Sequence, residues 1–271
     1  MTEPFQLINS SYLTISPWQN EDSNLVVGFT TKSGGVSHGH FSSLNLGLHV
    51  NDDESNVQKN KKYLAELLTF STNKWVGCNQ VHDNKIMKVE KEHAGQGVMD
   101  ESSSIQKTDG IYTKENDILL TLCFADCVPL YFWAENIVGL AHAGWHGTVK
   151  KIGPEMIKVL VNKEGIDPKK VKVAIGPSIS SEHYIVDDKV INAVIPIIHN
   201  EEKHLVFKEI SKGQYVLDLK MLNKLLLLKV GVREENIFVS SYCTSKDKDL
   251  FFSHRRDKGK TGRMISFIGM K

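Results

Sequence analysis

Leu119–Thr148, LLTLCFADCVPLYFWAENIVGLAHAGWHGT, decides how this chain is read. The stretch reads as two apolar strands. The first, Ile118–Phe124, runs into Ala125-Asp126-Cys127 and Pro129. The second, Ile137–Ala141, runs into His142-Ala143-Gly144-Trp145-His146-Gly147. Packing gives a buried strand no reason to end in Asp-Cys, or in His beside two glycines. A strand that ends at a cleft has one, because sites gather where a rigid sheet hands over to a loop. Cys127 and His142 are therefore the centre from which partners are sought.

Working outward, Thr148 is expected to cap a helix running to about Asn162. Gly165 closes it, and Val171–Ile175 forms the next strand. Upstream, Trp75–Gln80 and Lys85–Val89 read as strands around Val81-His82-Asp83-Asn84, so His82 also sits at a strand end. Asp109, before Gly110, reads first as a turn residue and only second as an active-site carboxylate. Gly95–Lys107, polar and Ser-rich, reads as a flexible connection. Asn51-Asp52-Asp53 caps a helix over Glu54–Thr69 whose face of Val57, Tyr63, Leu64, Leu67 and Leu68 makes it scaffold. Leu25–Thr31 is a strand, entering the turn Lys32-Ser-Gly-Gly-Val-Ser37. Phe41–Val50, interrupted by Asn45, Gly47 and His49, is either a loop packed on the core or one that shapes a substrate.

Further helices are expected from Asp187 or Asp188 to about His199 and over Leu219–Val230, the second capped by Asp218. Ile237–Ser240, Leu250–Phe252 and Met264–Ile268 read as short strands. The order of strands and helices is mixed, without repeats or a linker, so one α/β or α+β domain over residues 1–271 is expected, with its core at about 25–268.

Composition narrows the function classes. The 271 residues are 41% hydrophobic and carry 33 basic against 32 acidic side chains, so bulk charge points to neither nucleic acid nor a membrane surface. No run approaches a membrane span. MTEPFQLINSSYL has no basic segment leading into an apolar one, so a cytoplasmic protein is expected. The four cysteines, Cys78, Cys123, Cys127 and Cys243, have no disulfide or CxxC spacing and read as reduced thiols.

Cys127, His142 and His82 match a catalytic zinc site with three protein ligands and an open fourth position; copper would also accept this set. Asp126 could support such a site or accept a proton. The same residues serve a Cys–His nucleophile pair, and the plainest alternative is a buried free Cys with two satisfied histidines. The helix start at Gly147-Thr148 could hold an anion, with His146, Arg255 and Arg256 as partners; Arg255-Arg256-Asp257 could equally be a solvated turn.

Seven stretches occur in one order: Phe29–Ser37, Ser43–Gly47 with His49, Gln80-Val-His82, Thr108-Asp-Gly110, Ala125-Asp-Cys127, Ala141-His-Ala-Gly-Trp145, and Phe252–Asp257 with Thr261-Gly-Arg-Met264. Together they resemble the laccase-domain, or multicopper polyphenol oxidase, family of bacterial YfiH and YlmD proteins. The resemblance implies a single layered α/β/β domain. It also implies a metal, usually zinc, held by His82, Cys127 and His142. The implied activity is phosphorolysis of adenosine, inosine, guanosine and S-methyl-5′-thioadenosine, with deamination of adenosine. Purine nucleoside and phosphate would then be the partners, with Lys32, Asn45, His49, His146, Arg255 and Arg256 toward substrate and His82, Cys127, His142 and Asp126 catalytic. Two positions depart from the family pattern: His146 stands where it usually has Arg, and Lys32 where it often has Arg. Phosphate bound there would be held more weakly, or with more pH dependence. Rival readings are a Cys-dependent amide hydrolase acting on cell-wall precursors, a copper polyphenol oxidase, and a metal-dependent nucleoside-binding module without turnover. The oxidase is disfavoured because such enzymes need a larger His set.

Overall fold

The computed structural model describes residues 2–271. In chain order the elements are β1 (Phe5–Asn9), β2 (Tyr12–Ile15), α1 (Ser16–Glu21), β3 (Leu25–Thr30), α2 (Glu54–Leu68), β4 (Trp75–Val76), β5 (Ile86–Lys88), β6 (Gly110–Thr113), β7 (Leu119–Phe124), β8 (Val128–Ala134) and β9 (Ile137–Ala143). There follow α3 (Trp145–Val149), α4 (Ile152–Glu164), β10 (Lys172–Ile175), β11 (Ile185–Asp187), α5 (Asp188–Val194), α6 (Lys203–Val206), β12 (Phe207–Ser211), β13 (Gln214–Leu217), α7 (Leu219–Lys229), β14 (Ile237–Val239) and β15 (Met264–Met270).

Two six-stranded sheets carry the molecule, ordered β1-β2-β3-β15-β7-β4 and β14-β10-β8-β9-β6-β5; β11-β13-β12 form a small third sheet. Phe5, Leu13, Phe29 and Phe124 from the first sheet meet Tyr131, Trp133, Leu140 and Ala174 from the second in one buried cluster. The other face of the second sheet, with Leu130, Phe132 and Val173, is covered by Met156 and Leu160 of α4 and Leu222 and Leu226 of α7. Leu64 and Leu68 of α2 pack on Leu119, Ile265 and Phe267 of the first sheet. The expected mixed α/β class and layered α/β/β order are both present.

The central stretch holds three strands, not the two read from the sequence. VPLYFWA is a strand buried on both faces, and such strands read as unbroken apolar runs. Pro129 made it look like a terminator, since proline cannot donate to a ladder. It is tolerated because its carbonyl accepts from Gly176 N–H on the side where β10 has already ended. The last pair there is Leu130–Ile175, so the missing donor falls beyond the ladder. Ala125-Asp126-Cys127 is consequently the crossover from β7 in one sheet to β8 in the other.

Other expectations shift for local reasons. The helix expected from Thr148 is two helices, α3 begun by Gly144 and α4 begun after Lys151 turns left-handed at φ 62°. Thr148 is buried inside the first, its hydroxyl accepting from Asn223 Nδ2. Trp75–Gln80 is a strand only at Trp75–Val76. Beyond it Gly77 lies against Gly97, and Asn79 N–H donates to the Ile105 carbonyl. Gly95–Lys107 is therefore packed rather than loose, burying Val98 and Ile105. Leu250–Phe252 forms no strand, although Phe251 and Phe252 are buried. The helix begun by Asp187 gives way to a 3-10 turn at Ile195–Ile197. Residues 2–24 make the β1–β2 hairpin and α1.

Gly28 shows how tightly the first sheet is closed. A Cβ there would lie 2.2 Å from the Leu13 carbonyl oxygen and 2.6 Å from the Phe267 ring. Backbone cannot move aside as a flexible side chain can. Gly28→Ala is expected to cost roughly 2–3 kcal/mol, read as a lower urea midpoint with unchanged slope. An unchanged midpoint would refute this account of the packing.

Candidate active site

A cavity of about 480 Å³ opens at the β7–β8 crossover, within the size range of small-molecule sites. His82, Cys127 and His142 line it. One ligand atom from each lies within 4.8 Å of the other two. Cys127 Sγ is 4.0 Å from His82 Nε2, and the two imidazole rings are 4.7 Å apart at 71°. Tetrahedral zinc bond lengths place neighbouring ligand atoms about 3.3–3.6 Å apart. A small inward movement closes that gap. Two imidazoles and a thiol are the donor set expected of zinc or copper, so these residues could hold a metal ion.

Asp109 organises this cluster. Its fully buried carboxylate accepts the backbone N–H groups of Val81, His82 and Asp83 at 2.9–3.0 Å. It also accepts the His142 Nδ1 proton at 2.9 Å. His82 has φ 59°, costly for a non-glycine residue, and the three amide bonds hold it there. With Nδ1 committed to Asp109, His142 presents Nε2 to the cavity, as metal-ligating imidazoles commonly do. Its main chain is fixed by the same residue, because His142 N–H donates to the Asp109 carbonyl at 2.7 Å.

Cys127 is placed by the crossover. Asp126 has φ 91°. Its carboxylate accepts from Thr244 Oγ1 and from the Arg255 backbone N–H, each at 2.6 Å, and its carbonyl accepts from Ile179 N–H. Asp126 therefore lines the cavity with both oxygens already bonded. Gly144 completes the packing: a Cβ there would meet Cys127 Sγ at 2.9 Å and the His82 ring at 3.1 Å.

Burial alone would raise the Cys127 thiol. The charge of His142, with hydrogen bonds from His142 and His82, outweighs it and brings the thiol down. Burial would lower His142, but Cys127 and the Asp109 carboxylate bring it up. The pair thus favours thiolate beside imidazolium. Burial pushes Cys78 and Cys123 the other way, so they stay thiols.

The remaining expected residues divide. His49 and Arg255 line the cavity; Arg255 lies over the Tyr184 ring and donates to the Ile185 carbonyl. Lys32 and Arg256 line a separate open cleft. The Arg256 guanidinium is spent on Asp257 and on the carbonyls of Thr244, Ser245 and Phe251. Asn45 is fully buried, its amide bonded to Gly47, Asp52 and the Arg263 N–H. His146 is exposed and its ring lies tilted at 55° against Trp145, 3.7 Å between centroids. The helix start expected to bind an anion belongs to the five-residue α3, which begins at Trp145 rather than Thr148. The chain's one His-x-His, His38–His40, lies in an exposed turn, with His40 on the separate cleft.

Lys61, Trp145, Tyr184, His254 and Arg263 line the cavity without having been expected there. Lys61 had a legible signal. The buried stripe of α2 is Val57, Asn60, Lys61, Leu64, Ala65 and Leu68, a helical period with two polar residues inside it. Trp145, His254 and Arg263 stood inside recognised motifs, and Tyr184 carried no signal.

Residues 26–271 match the family described as multi-copper polyphenol oxidoreductase laccase. The chain belongs to this family. It is 48% identical to purine nucleoside phosphorylase YlmD of Bacillus subtilis strain 168, over 99% of this chain and 98% of that protein. It is 50% identical to the purine nucleoside phosphorylase YlmD of Geobacillus stearothermophilus, over 91% and 90% of the two chains. The crystal structure of YlmD from Geobacillus stearothermophilus superposes with a TM-score of 0.96 at 46% identity, covering 99% of each chain. Among the described residues of this laccase-family protein, no helix is long and apolar enough to cross a membrane.

His49 gives the site a pH signature. His49 is exposed as a residue, but desolvation by the cavity first, then Arg263, Lys61, His142 and His82, lower its pKa from 6.5 to about 4. Between those values the unfolded chain binds a proton that the folded chain does not. The contribution of His49 to stability is therefore present above pH 6.5 and lost as pH falls toward 4. In denaturant titrations from about pH 7 to about pH 4.5, the wild type should lose more stability than His49→Gln. Parallel losses would show that His49 is not held neutral by the fold.

Proposed function

We propose that this protein phosphorolyses purine nucleosides, namely adenosine, inosine, guanosine and S-methyl-5′-thioadenosine, and deaminates adenosine, using Zn²⁺ held by His82, Cys127 and His142. One observation carries the reading: two imidazoles face the same thiolate at the wall of a nucleoside-sized cavity. The names of relatives nearly half identical over the whole chain support the substrate class. Zn²⁺ there would supply Lewis-acid chemistry at an open fourth position.

The chain's own residues do the rest. Asp109 fixes the His142 Nδ1 proton, so Nε2 is the nitrogen that would give up its proton to take the metal. Asp126, with both oxygens bonded, shapes the crossover more than it moves protons. His49 lines the cavity and has no hydrogen-bond partner among the described residues, so of the two it is the one free to accept a proton in deamination. Trp145 and Tyr184 offer aromatic surface to a purine. We further propose that the chain is one domain and that it works in the cytoplasm.

A Cys-dependent amide hydrolase is favoured by one feature, the line Cys127–His142–Asp109, which has nucleophile, base and orienting carboxylate. His82 argues against it, since a nucleophile pair has no use for a second imidazole on the sulfur. Chelation separates the two. Metal removal should abolish base release from inosine with phosphate, and inosine formation from adenosine without it, and Zn²⁺ should restore both. Amide hydrolysis that survives chelation would favour the hydrolase, and oxygen-dependent oxidation of a phenol, restored by copper alone, would favour an oxidase. Asp109→Asn should lower zinc affinity about 10–100-fold, read by competition with a chromophoric chelator. Wild-type affinity in that variant would detach Asp109 from the ligand set.

A further inference from the structure

The cavity is also lined by side chains that the cluster of His82, Cys127 and His142 does not use. Lys61 is only 6% exposed, and its neighbours along the α2 stripe, Val57, Leu64 and Leu68, are apolar. An ammonium carries three donors. This one has a single acceptor among the described residues, the Val98 carbonyl at 2.5 Å. A buried cation with one neutral partner is costly unless something else meets it. Arg263 lines the same cavity. Its NH1 donates to the Thr261 and Gly262 carbonyls at 2.8 and 3.1 Å, while Nε and NH2 have no partner among the described residues. Neither cation forms an ion pair there. Glu101 also lines the cavity, but it is exposed and not paired with Lys61.

The surrounding chain is built to place these two cations. Asn45 Oδ1 accepts the Arg263 N–H at 2.8 Å. Gly47 leaves room for the Arg263 stem, whose Cγ would be 2.8 Å from an added Cβ. Asn60, beside Lys61, ties α2 to the Gly35–Asn45 loops through Val36 N–H, Ser37 Oγ and the carbonyls of Ser43 and Asn45. His49 lines the cavity with them and senses the charges of Lys61 and Arg263 as well as those of His82 and His142.

We propose that Lys61 and Arg263 form an oxyanion subsite in this cavity, and that it takes the inorganic phosphate that attacks the nucleoside. The assignment of phosphate rests on the phosphorolysis reading above. It replaces Lys32, Arg256 and the α3 start, which the fold places elsewhere or commits to other partners. A phosphate oxygen forms the new bond to C1′ as the C1′–N9 bond breaks. The electron pair leaves with the purine, which takes up a proton, and the sugar leaves as ribose 1-phosphate. Lys61 neutralises charge on the phosphate, and the free edge of the Arg263 guanidinium supplies paired, directional N–H donors.

The test uses Lys61→Met and Arg263→Met, with Arg263→Lys as a variant that keeps the charge and loses the fork. Base release from inosine is measured against phosphate concentration. Thermal unfolding is measured with and without phosphate, because a ligand of the folded state raises the midpoint. Both Met variants should raise the KM for phosphate at least about tenfold, the loss of one charge-assisted hydrogen bond, with the KM for inosine nearly unchanged. They should also lose the phosphate-induced rise in midpoint, and Arg263→Lys should fall between them and the wild type. Wild-type phosphate KM and midpoint shift in both Met variants would overturn the assignment. If the wild type releases no base with phosphate, the phosphorolysis reading fails. The subsite then stands or falls on whether the midpoint shift depends on Lys61 and Arg263.

Discussion

The bond set around the Asp109 carboxylate is the constraint on which the site depends. One buried side chain neutralises three consecutive amides and fixes one imidazole. Without it the Val81–Asp83 turn would carry unpaired N–H groups, and His82 would have no reason to stay left-handed. A carboxylate that accepts several charge-assisted bonds is held ionised despite its burial. Asp109 thus stores the negative charge that balances an imidazolium or a bound cation next to it.

The second constraint is topological. Cys127 sits where the chain leaves one sheet for the other, and His142 ends the strand paired with the one that Cys127 begins. The Pro129–His142 pair in the β8–β9 ladder sets their register. Thiol and imidazole are therefore neighbours by hydrogen-bonded pairing, not by the flexibility of a loop. His82 arrives from a third direction and is locked by Asp109. A cluster held from three sides loses little freedom on closing around a ligand, which is the advantage of preorganisation.

Charge is distributed with the same economy. Among the cysteines lining the cavity, only Cys127 faces imidazoles and moves toward the thiolate; Cys78 and Cys123 are held as thiols by burial. Lys61 and Arg263 line the same cavity without carboxylate partners, and His49, which lines it too, is held neutral.

Local pattern alone was enough to place β3, α2, α7 and the strand ends that carry Cys127 and His142, because apolar periodicity and capping residues act within a few neighbours. Motif order made the family and the His82, Cys127, His142 set legible. What local pattern misjudged were residues whose role depends on distant partners. Asp109 looks like a turn residue beside Gly110, Asn45 like a ligand contact, and Pro129 like a strand terminator. Each role was decided by a neighbour far along the chain: His142 for Asp109, Arg263 for Asn45, and the early end of β10 for Pro129. Periodicity specifies which face of an element is buried. Only the assembled sheets decide which groups that face meets, and so whether a polar side chain is structural or chemical.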